Sequence, residues 1–233
     1  MRLDRFLCEM NVGSRSQVKA LLRQGLVTVN GKAEKEGAIQ IREYSDDILF
    51  RGNKLQYQRF VYYMLNKPEG VVSATEDKTA VTVVSLLSGE GRDDLFPVGR
   101  LDKDTTGLLL LTNDGETAHR LLSPKRHVDK IYRVTLEHPL ERQAAAILEQ
   151  GVDIGDDKLT LPAQVSVQDD CTILLTIQEG RYHQVKRMLQ AVGNRVLALE
   201  RISFGGLALD EKLKPGEYRT LTSEEIALLG IRT

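Results

Sequence analysis

The chain has 233 residues, enough for one large domain or two smaller ones, and its 41% hydrophobic and 28% charged content is ordinary for a soluble protein with a proper core. Two cysteines, Cys8 and Cys171, lie in no metal-like or redox-like spacing, which argues against a disulfide framework and suits a reducing cytosol. The longest aliphatic run, Leu108 to Leu111, is far too short for a bilayer, and Met1-Arg2-Leu3-Asp4 begins no signal-peptide stretch, so a cytoplasmic protein with no membrane partner is expected.

A net charge of −1 says nothing about nucleic acid, but its distribution is uneven. Residues 1–55 hold ten Lys/Arg and seven Asp/Glu, a balance of +3; the rest holds 22 and 26, a balance of −4. A basic head on an acidic body suits polyanion binding by the head, although a +3 segment also arises by chance.

The head parses closely. Leu3, Phe6 and Leu7 recur at helical spacing, and Asn11-Val12-Gly13 breaks that helix. Ser14 reads as an N-cap with Gln17 completing a capping box, Val18, Leu21 and Leu22 as the buried stripe of a second helix, and Gly25 as its stop. Arg15, Lys19 and Arg23 lie four apart and share one face. Leu26 to Asn30 alternates like a strand, and Asn30-Gly31 is a strong hairpin turn. Ala38–Ile41 and Asp47–Phe50 are further short strand candidates, with Gly52-Asn53 as another turn.

Residues 56–59 form a polar bridge. The body opens on Val61–Leu65, a strand ending at Asn66-Lys67-Pro68-Glu69-Gly70. Further strands are expected over Leu108–Thr112, Ile131–Leu136, Thr172–Ile177 and Val196–Ile202, and helices over Thr117–Leu122, Glu141–Gln150, His183–Val192 and Ser223–Leu229. Gly151 and Gly193 fall just past two helix ends. Strands and helices do not alternate strictly, so the fold class expected is α+β, with a mixed, largely antiparallel sheet and flanking helices. The expected domains are 1–58 and 59–233.

The densest polar signal is Phe96-Pro97-Val98-Gly99-Arg100-Leu101-Asp102-Lys103-Asp104-Thr105-Thr106-Gly107, running into Leu108–Thr112. A loop anchored to a buried strand can hold polar groups accurately; a structural loop with locally paired charges has the same appearance. Asp102-x-Asp104-x-Thr106-Gly107 also copies the start of a calcium loop. The ligand count fails further on: the seventh and ninth positions are Leu108 and Leu110, and the twelfth is Asn113 rather than a bidentate glutamate. Four histidines without paired spacing make no zinc site. His119 reads as surface, and Cys8 and Cys171 as core.

Two stretches resemble known families. Ser14-Arg15-Ser16-Gln17 through Gly25–Lys32 resembles the RNA-binding module of the ribosomal-protein S4 type, which implies mainly phosphate contacts. The loop at Arg100–Gly107 resembles the first signature motif of pseudouridine synthases, specifically the RsuA-type enzymes of small-subunit ribosomal RNA. Lys130-Ile131-Tyr132-Arg133-Val134 resembles their second motif, and Glu179-Gly180-Arg181-Tyr182-His183-Gln184-Val185-Lys186-Arg187-Met188 their third. Asn66–Gly70 and Pro215–Arg219 are weaker matches, and the resemblance runs through essentially the whole chain.

The resemblance implies that Asp102 is the essential carboxylate, Tyr132 the tyrosine stacking on the target base, and Lys186 the basic partner of the aspartate. Many family members carry arginine there; lysine offers a point charge in place of a two-bond clamp. It implies isomerisation of a uridine in 16S ribosomal RNA, at position 516, without metal, nucleotide or other cofactor. The residue types suit that chemistry. A carboxylate must be ionised to act as nucleophile or base, and a neighbouring cation favours that form. Attack on the ribose and removal of a ribose proton both remain open at this stage. The base must also leave its stack, and the resemblance places Arg100 near the space vacated; a local salt bridge with Asp102 or Asp104 is the plainer reading. Candidate RNA contacts are Arg100, Arg2, Arg5, Arg15, Lys19, Arg23, Lys32, Lys67, Arg181, His183 and Arg187.

Two alternatives stand beside this one. A large-subunit target would keep the chemistry, but sister enzymes there usually show an asparagine-containing third motif in place of Tyr182-His183. A non-enzymatic ribosome-assembly factor would not need Asp102, Tyr132 and Lys186 together. Monomer is the default oligomeric state.

Overall fold

The computed structural model describes residues 1–231 apart from 11, 91, 93, 124 and 125. The chain divides into two units, Met1–Val61 with Leu87–Asp94, and Tyr62–Leu86 with Leu95–Thr233.

In the first unit, α1 (Leu3–Glu9) buries Leu3, Phe6 and Leu7. Asn11, part of the expected break after it, lies outside the described residues. Ser14 and Gln17 form the expected capping box of α2 (Arg15–Arg23), satisfying two otherwise orphaned N–H groups. Val18 and Leu22 are buried, and Leu21 only partly. A sheet of order β2-β1-β3-β4 follows, from β1 (Val27–Val29), β2 (Lys32–Ala33), β3 (Ile48–Phe50) and β4 (Asn53–Lys54). The hairpin turn at Asn30-Gly31 has both residues at positive φ, 50° and 80°, as a tight two-residue turn requires. The second turn is centred on Arg51-Gly52, φ 51° and 80°, one residue earlier than expected. Ala38–Ile41 is not a strand. The N-terminus occupies its pairing groups, with Leu3 N–H on Ile39 O and Ile41 N–H on Met1 O, leaving one isolated bridge, Arg2 to Gln40.

The second unit is built on a nine-stranded sheet with the main order β13-β5-β7-β11-β8-β10-β9. Its strands are β5 (Tyr62–Lys67), β6 (Phe96–Pro97), β7 (Thr106–Thr112), β8 (Lys130–Leu136), β9 (Gln164–Val167), β10 (Thr172–Ile177), β11 (Val196–Phe204), β12 (Leu207–Ala208) and β13 (Tyr218–Thr220). Short β6 and β12 pair with β7 and β11. Pairing is antiparallel throughout these strands except between β7 and β11, so the mixed, largely antiparallel sheet is observed. All of β5, and β7 from Gly107 on, are buried; strands covered on both faces lose the polar alternation and read as aliphatic runs. One face packs Tyr62, Met64, Leu108 and Leu110 with Phe204, Leu121 and Ile226. The helices are α3 (Gly115–Leu122), α4 (Arg142–Gln150), α5 (Gln184–Ala191) and α6 (Ser223–Leu228), each close to its expected span. Cys8 and Cys171 are half-buried rather than core. Among the described residues no helix is long and apolar enough to cross a membrane.

Candidate active site

The loop Leu101–Thr105 enters β7, and the sheet sets where it starts. Gly107 has φ +95°, and a Cβ there would stand 2.4 Å from Arg201 O on β11. Only glycine allows this approach of the parallel pair β7–β11. Upstream, the loop is fastened from three sides. The Ser73 hydroxyl donates to Leu101 O (2.8 Å) and accepts from Leu101 N–H (3.0 Å). Gly70 N–H donates to Lys103 O (2.8 Å). The Lys67 ammonium donates to Thr105 O at 2.8 Å, Pro68 O at 3.1 Å and Lys103 O at 3.4 Å. Thr105 N–H closes a turn onto Asp102 O (3.1 Å). The backbone carrying Asp102 is thereby held before any substrate arrives, which is the condition for a precise site.

The other wall comes from the start of α5. His183 caps it in the left-handed region, φ 47° and ψ 36°, a conformation histidine tolerates better than most side chains. From here His183 Nε2 lies 3.6 Å from Asp102 Oδ1. One turn into the helix, Lys186 Nζ reaches Asp102 Oδ2 at 3.1 Å and Asp104 Oδ1 at 2.6 Å. These groups, with Glu69, Gly70 and Lys103, line an open cleft of about 420 Å³.

Charge is shared rather than paired. Burial alone would lower the Lys186 ammonium, but hydrogen bonds to Asp104 and Asp102 raise it above the ordinary lysine value. The Asp104 carboxyl is held below its usual range, chiefly by the Lys186 hydrogen bond. Burial pushes Lys67 down to about 8, against the pull of Asp104, Asp102 and Glu69. The result is a two-carboxylate, one-ammonium cluster among the residues that line the cleft.

The expected site residues are only partly gathered. Asp102, Lys186 and His183 meet in the cleft. Tyr132, on β8, is 8% exposed and is not in the cleft lining; its β11 partner is Arg201, which pairs in turn with Gly107 on β7. Arg100 is exposed, and among the described residues it makes no salt bridge with Asp102 or Asp104, so the plainer local-pair reading is not observed. Lys67 departs from the expected RNA contact: it is 0% exposed, and its ammonium is spent on three carbonyls. Arg181 and Arg187 depart similarly. Arg181 holds Glu179, Asp156, Lys158 O and Leu159 O, and Arg187 holds Asp156, Tyr182 O and Ile154 O; both guanidinium groups clamp the segment before β9.

In the first unit, Arg15, Lys19, Arg23 and Lys32 are exposed and make no salt bridge among the described residues. Arg2 is tied to Asp4 and Arg5 to Glu9. Sequence reasoning missed Asp104 as a partner of Lys186 and Ser73 as a loop anchor. The Asp-x-Asp spacing marks the first, but as a metal pattern or a local partner of Arg100 rather than of Lys186; nothing local points at the second.

Comparison with known proteins places the whole chain. The RNA pseudouridylate synthase family matches residues 61–191, and the S4 domain family matches residues 1–43. A ribosomal small subunit pseudouridine synthase A of Yersinia pestis is 49% identical over 99% of this chain and 98% of its own. An uncharacterised RNA pseudouridine synthase of Bacillus subtilis (strain 168) is 48% identical over 98% of both chains. A crystal structure of a pseudouridylate synthase aligns over 98% of this chain and 99% of its own, with a TM-score of 0.69 and 43% identity. With an S4 domain at its N-terminus and the pseudouridylate synthase match beginning where the large sheet begins, the chain belongs to the RNA pseudouridylate synthase family and is an isomerase.

Proposed function

We propose that this enzyme converts one uridine of small-subunit ribosomal RNA to pseudouridine, with Asp102 as its working carboxylate. The observation that carries the reading is the position of Asp102: on a loop fastened by Ser73, Gly70 and Lys67, in an open cleft, with Lys186 and His183 beside it. The small-subunit target rests on relatives such as the Yersinia pestis protein, whose name carries it.

The reaction breaks the bond between ribose C1′ and base N1, turns the base, and joins C1′ to C5. The C5 proton is lost and N1 gains one, so atoms and electrons balance without an external reagent. Asp102 acts on the ribose as nucleophile or as base, and both roles need the ionised carboxylate. Lys186, 3.1 Å from Oδ2, holds its direction. Tyr132, buried and outside the cleft lining, takes the role of stacking on the base from its place in the second motif alone. A stacked base cannot reach a carboxylate in the cleft, so the uridine must flip, and Arg100, exposed and without a salt bridge among the described residues, is the residue that fills the vacated space. Residues 1–58 serve as the RNA tether and 59–233 as the catalytic domain. The contacts of the tether come from Arg15, Lys19, Arg23 and Lys32.

The test is to incubate the protein with protein-free and partly assembled ribosomal RNA and map pseudouridines by reverse-transcription stops after carbodiimide treatment. A single new stop in small-subunit RNA is expected, absent with Asp102→Asn, a loss of at least about 10³-fold. That variant should keep its fold and its RNA affinity. A stop only in large-subunit RNA would move the target; substantial activity in Asp102→Asn would remove the mechanism.

A further inference from the structure

Tyr182 is a large aromatic side chain left 75% exposed. Its ring is not loose: it stacks on His183 with centroids 3.8 Å apart and an interplanar angle of 18°. His183 is in turn turned by its left-handed backbone towards Asp102, with Nε2 3.6 Å from Oδ1. The Tyr182 carbonyl accepts from Arg187, and the Gln184 side chain accepts from Arg181 N–H, so the backbone on both sides is fixed. A carboxylate, an imidazole and a phenol ring thus follow one another outward from the cleft, and the last presents a bare aromatic face.

Leaving that face in water forgoes hydrophobic burial, and a left-handed non-glycine residue adds backbone strain. Neither is explained by packing. A planar, open, pre-stacked ring is the surface that nucleobases use, since every base has a π-face and stacks on aromatic side chains. The cleft holds the ribose of one nucleotide at Asp102. Asp102 to His183 is 3.6 Å and the His183 ring to the Tyr182 ring 3.8 Å, so a base laid one stacking step beyond Tyr182 lies on the order of 10 Å from the Asp102 carboxylate. A flanking nucleotide covers that span when the strand is unstacked and splayed out.

We propose that the exposed face of Tyr182, stacked on His183, is a subsite for an unpaired RNA base flanking the uridine that enters the cleft. The inference rests on the proposed function, because it takes the cleft as the uridine site. It adds a specificity element: the enzyme reads whether the target's neighbour is free to stack. Stacking tolerates any base but requires it to be unpaired, so the subsite selects for loop or unwound RNA rather than for a letter of sequence.

The test is a double-mutant cycle on full-length protein in the Asp102→Asn background, where turnover does not disturb binding. The probe is a short stem-loop carrying the uridine found by carbodiimide mapping, together with versions lacking the base at each flanking nucleotide. With Tyr182 present, removing one flanking base should weaken binding roughly 10-fold. With Tyr182→Ala, that same removal should change affinity less than about 2-fold, and the variant should bind the intact stem-loop roughly 10-fold more weakly. Tyr182→Phe should retain the coupling, and Tyr182→Leu, apolar but not planar, should lose most of it. Coupling to neither flank, or to the target base alone, overturns the proposal. A failed mapping experiment removes the proposed function itself, whereas a mapped uridine without coupling removes only this subsite.

Discussion

Lys186 lies nearer to Asp104 than to Asp102, 2.6 Å against 3.1 Å. The ammonium is therefore a bridge between two carboxylates. Asp104 shares the ammonium with Asp102 and fixes the lysine side chain beside it. Asp104→Asn should lower kcat about 10-fold while KM moves less than about 3-fold, because the group positions Lys186 rather than touching RNA. Lys186→Met should cost more than Asp104→Asn, and Lys186→Arg should recover part of the loss. Stability responds with a defined sign. The Asp104 carboxyl is held below its ordinary 3.8, so the pair stabilises the fold above that pH and its contribution fades as pH falls through and below it. Thermal melts against pH should show a shallower acid decline in Asp104→Asn, and a small one, since Asp104 is 63% exposed.

Lys67 is the strongest case of a charged residue used as scaffold. Replacing it with Met strands the Thr105, Pro68 and Lys103 carbonyls and frees the loop that carries Asp102. Lys67→Met should cost about 2–4 kcal/mol, a fall in Tm of roughly 5–15 °C for a chain of this size, and most of the activity. Burial lowers this group from 10.5 to about 8. Below that pH the folded state carries the cost of a buried charge; between about 8 and 10.5 only the unfolded chain binds the proton, so this group's contribution to stability rises with pH. Lys130 is also pushed down to about 8 by burial and by Arg201. The difference between wild type and Lys67→Met across pH 7–10 isolates the Lys67 part; an identical pH profile would show that the buried ammonium does not titrate there.

Gly107→Ala tests the sheet's role in setting the loop. A methyl group at 2.4 Å from Arg201 O cannot be absorbed by a side-chain movement, since the obstacle is backbone and φ is +95°. The substitution should cost about 3 kcal/mol or more, and the surviving folded fraction should be nearly inactive because β7 must shift and takes Asp102 with it. A melt within a degree or two of wild type would show that the parallel pair has slack.

How much of this was legible follows from the range of each interaction. The Ser14–Gln17 capping box and the Asn30-Gly31 turn are set by residues within a few positions, so their signals survive in sequence. Strand β9 did not: Gln164, Ser166 and Val167 are exposed and Val165 half-buried, which leaves no burial period to read. Ala38–Ile41 failed for a different reason. Its strand-like residues are real, but its partner is the N-terminus rather than a sheet. In the site, Asp102 and Lys186 stand out through motifs that place residue types in order. Ser73 holding Leu101 spans 28 positions and depends on a hydroxyl no pattern marks. Lys67, Arg181 and Arg187 read as surface cations because a sequence counts charge but not the carbonyls folded around it.

The head should bind RNA through α2 and not through α1, although both carry arginines. Arg2 spends its guanidinium on Asp4, with contacts of 3.0 and 2.5 Å, and Arg5 spends its own on Glu9 one turn on. A phosphate meeting either must compete with a carboxylate already in place. Arg15, Lys19 and Arg23 are exposed beside the buried Val18–Leu22 stripe and make no salt bridge among the described residues, although Arg15 is close enough to Asp4 to help lower its carboxyl. If each neutralises one phosphate, changing all three to Gln should flatten the slope of log affinity against log salt by about 2–3 units. The paired change of Arg2 and Arg5 to Gln should flatten it by less than about 1 unit, because those charges are neutralised locally before RNA arrives. The measurement is filter binding of small-subunit ribosomal RNA to full-length Asp102→Asn protein over a salt series. An unchanged slope in the triple variant would take the RNA contact off α2 altogether.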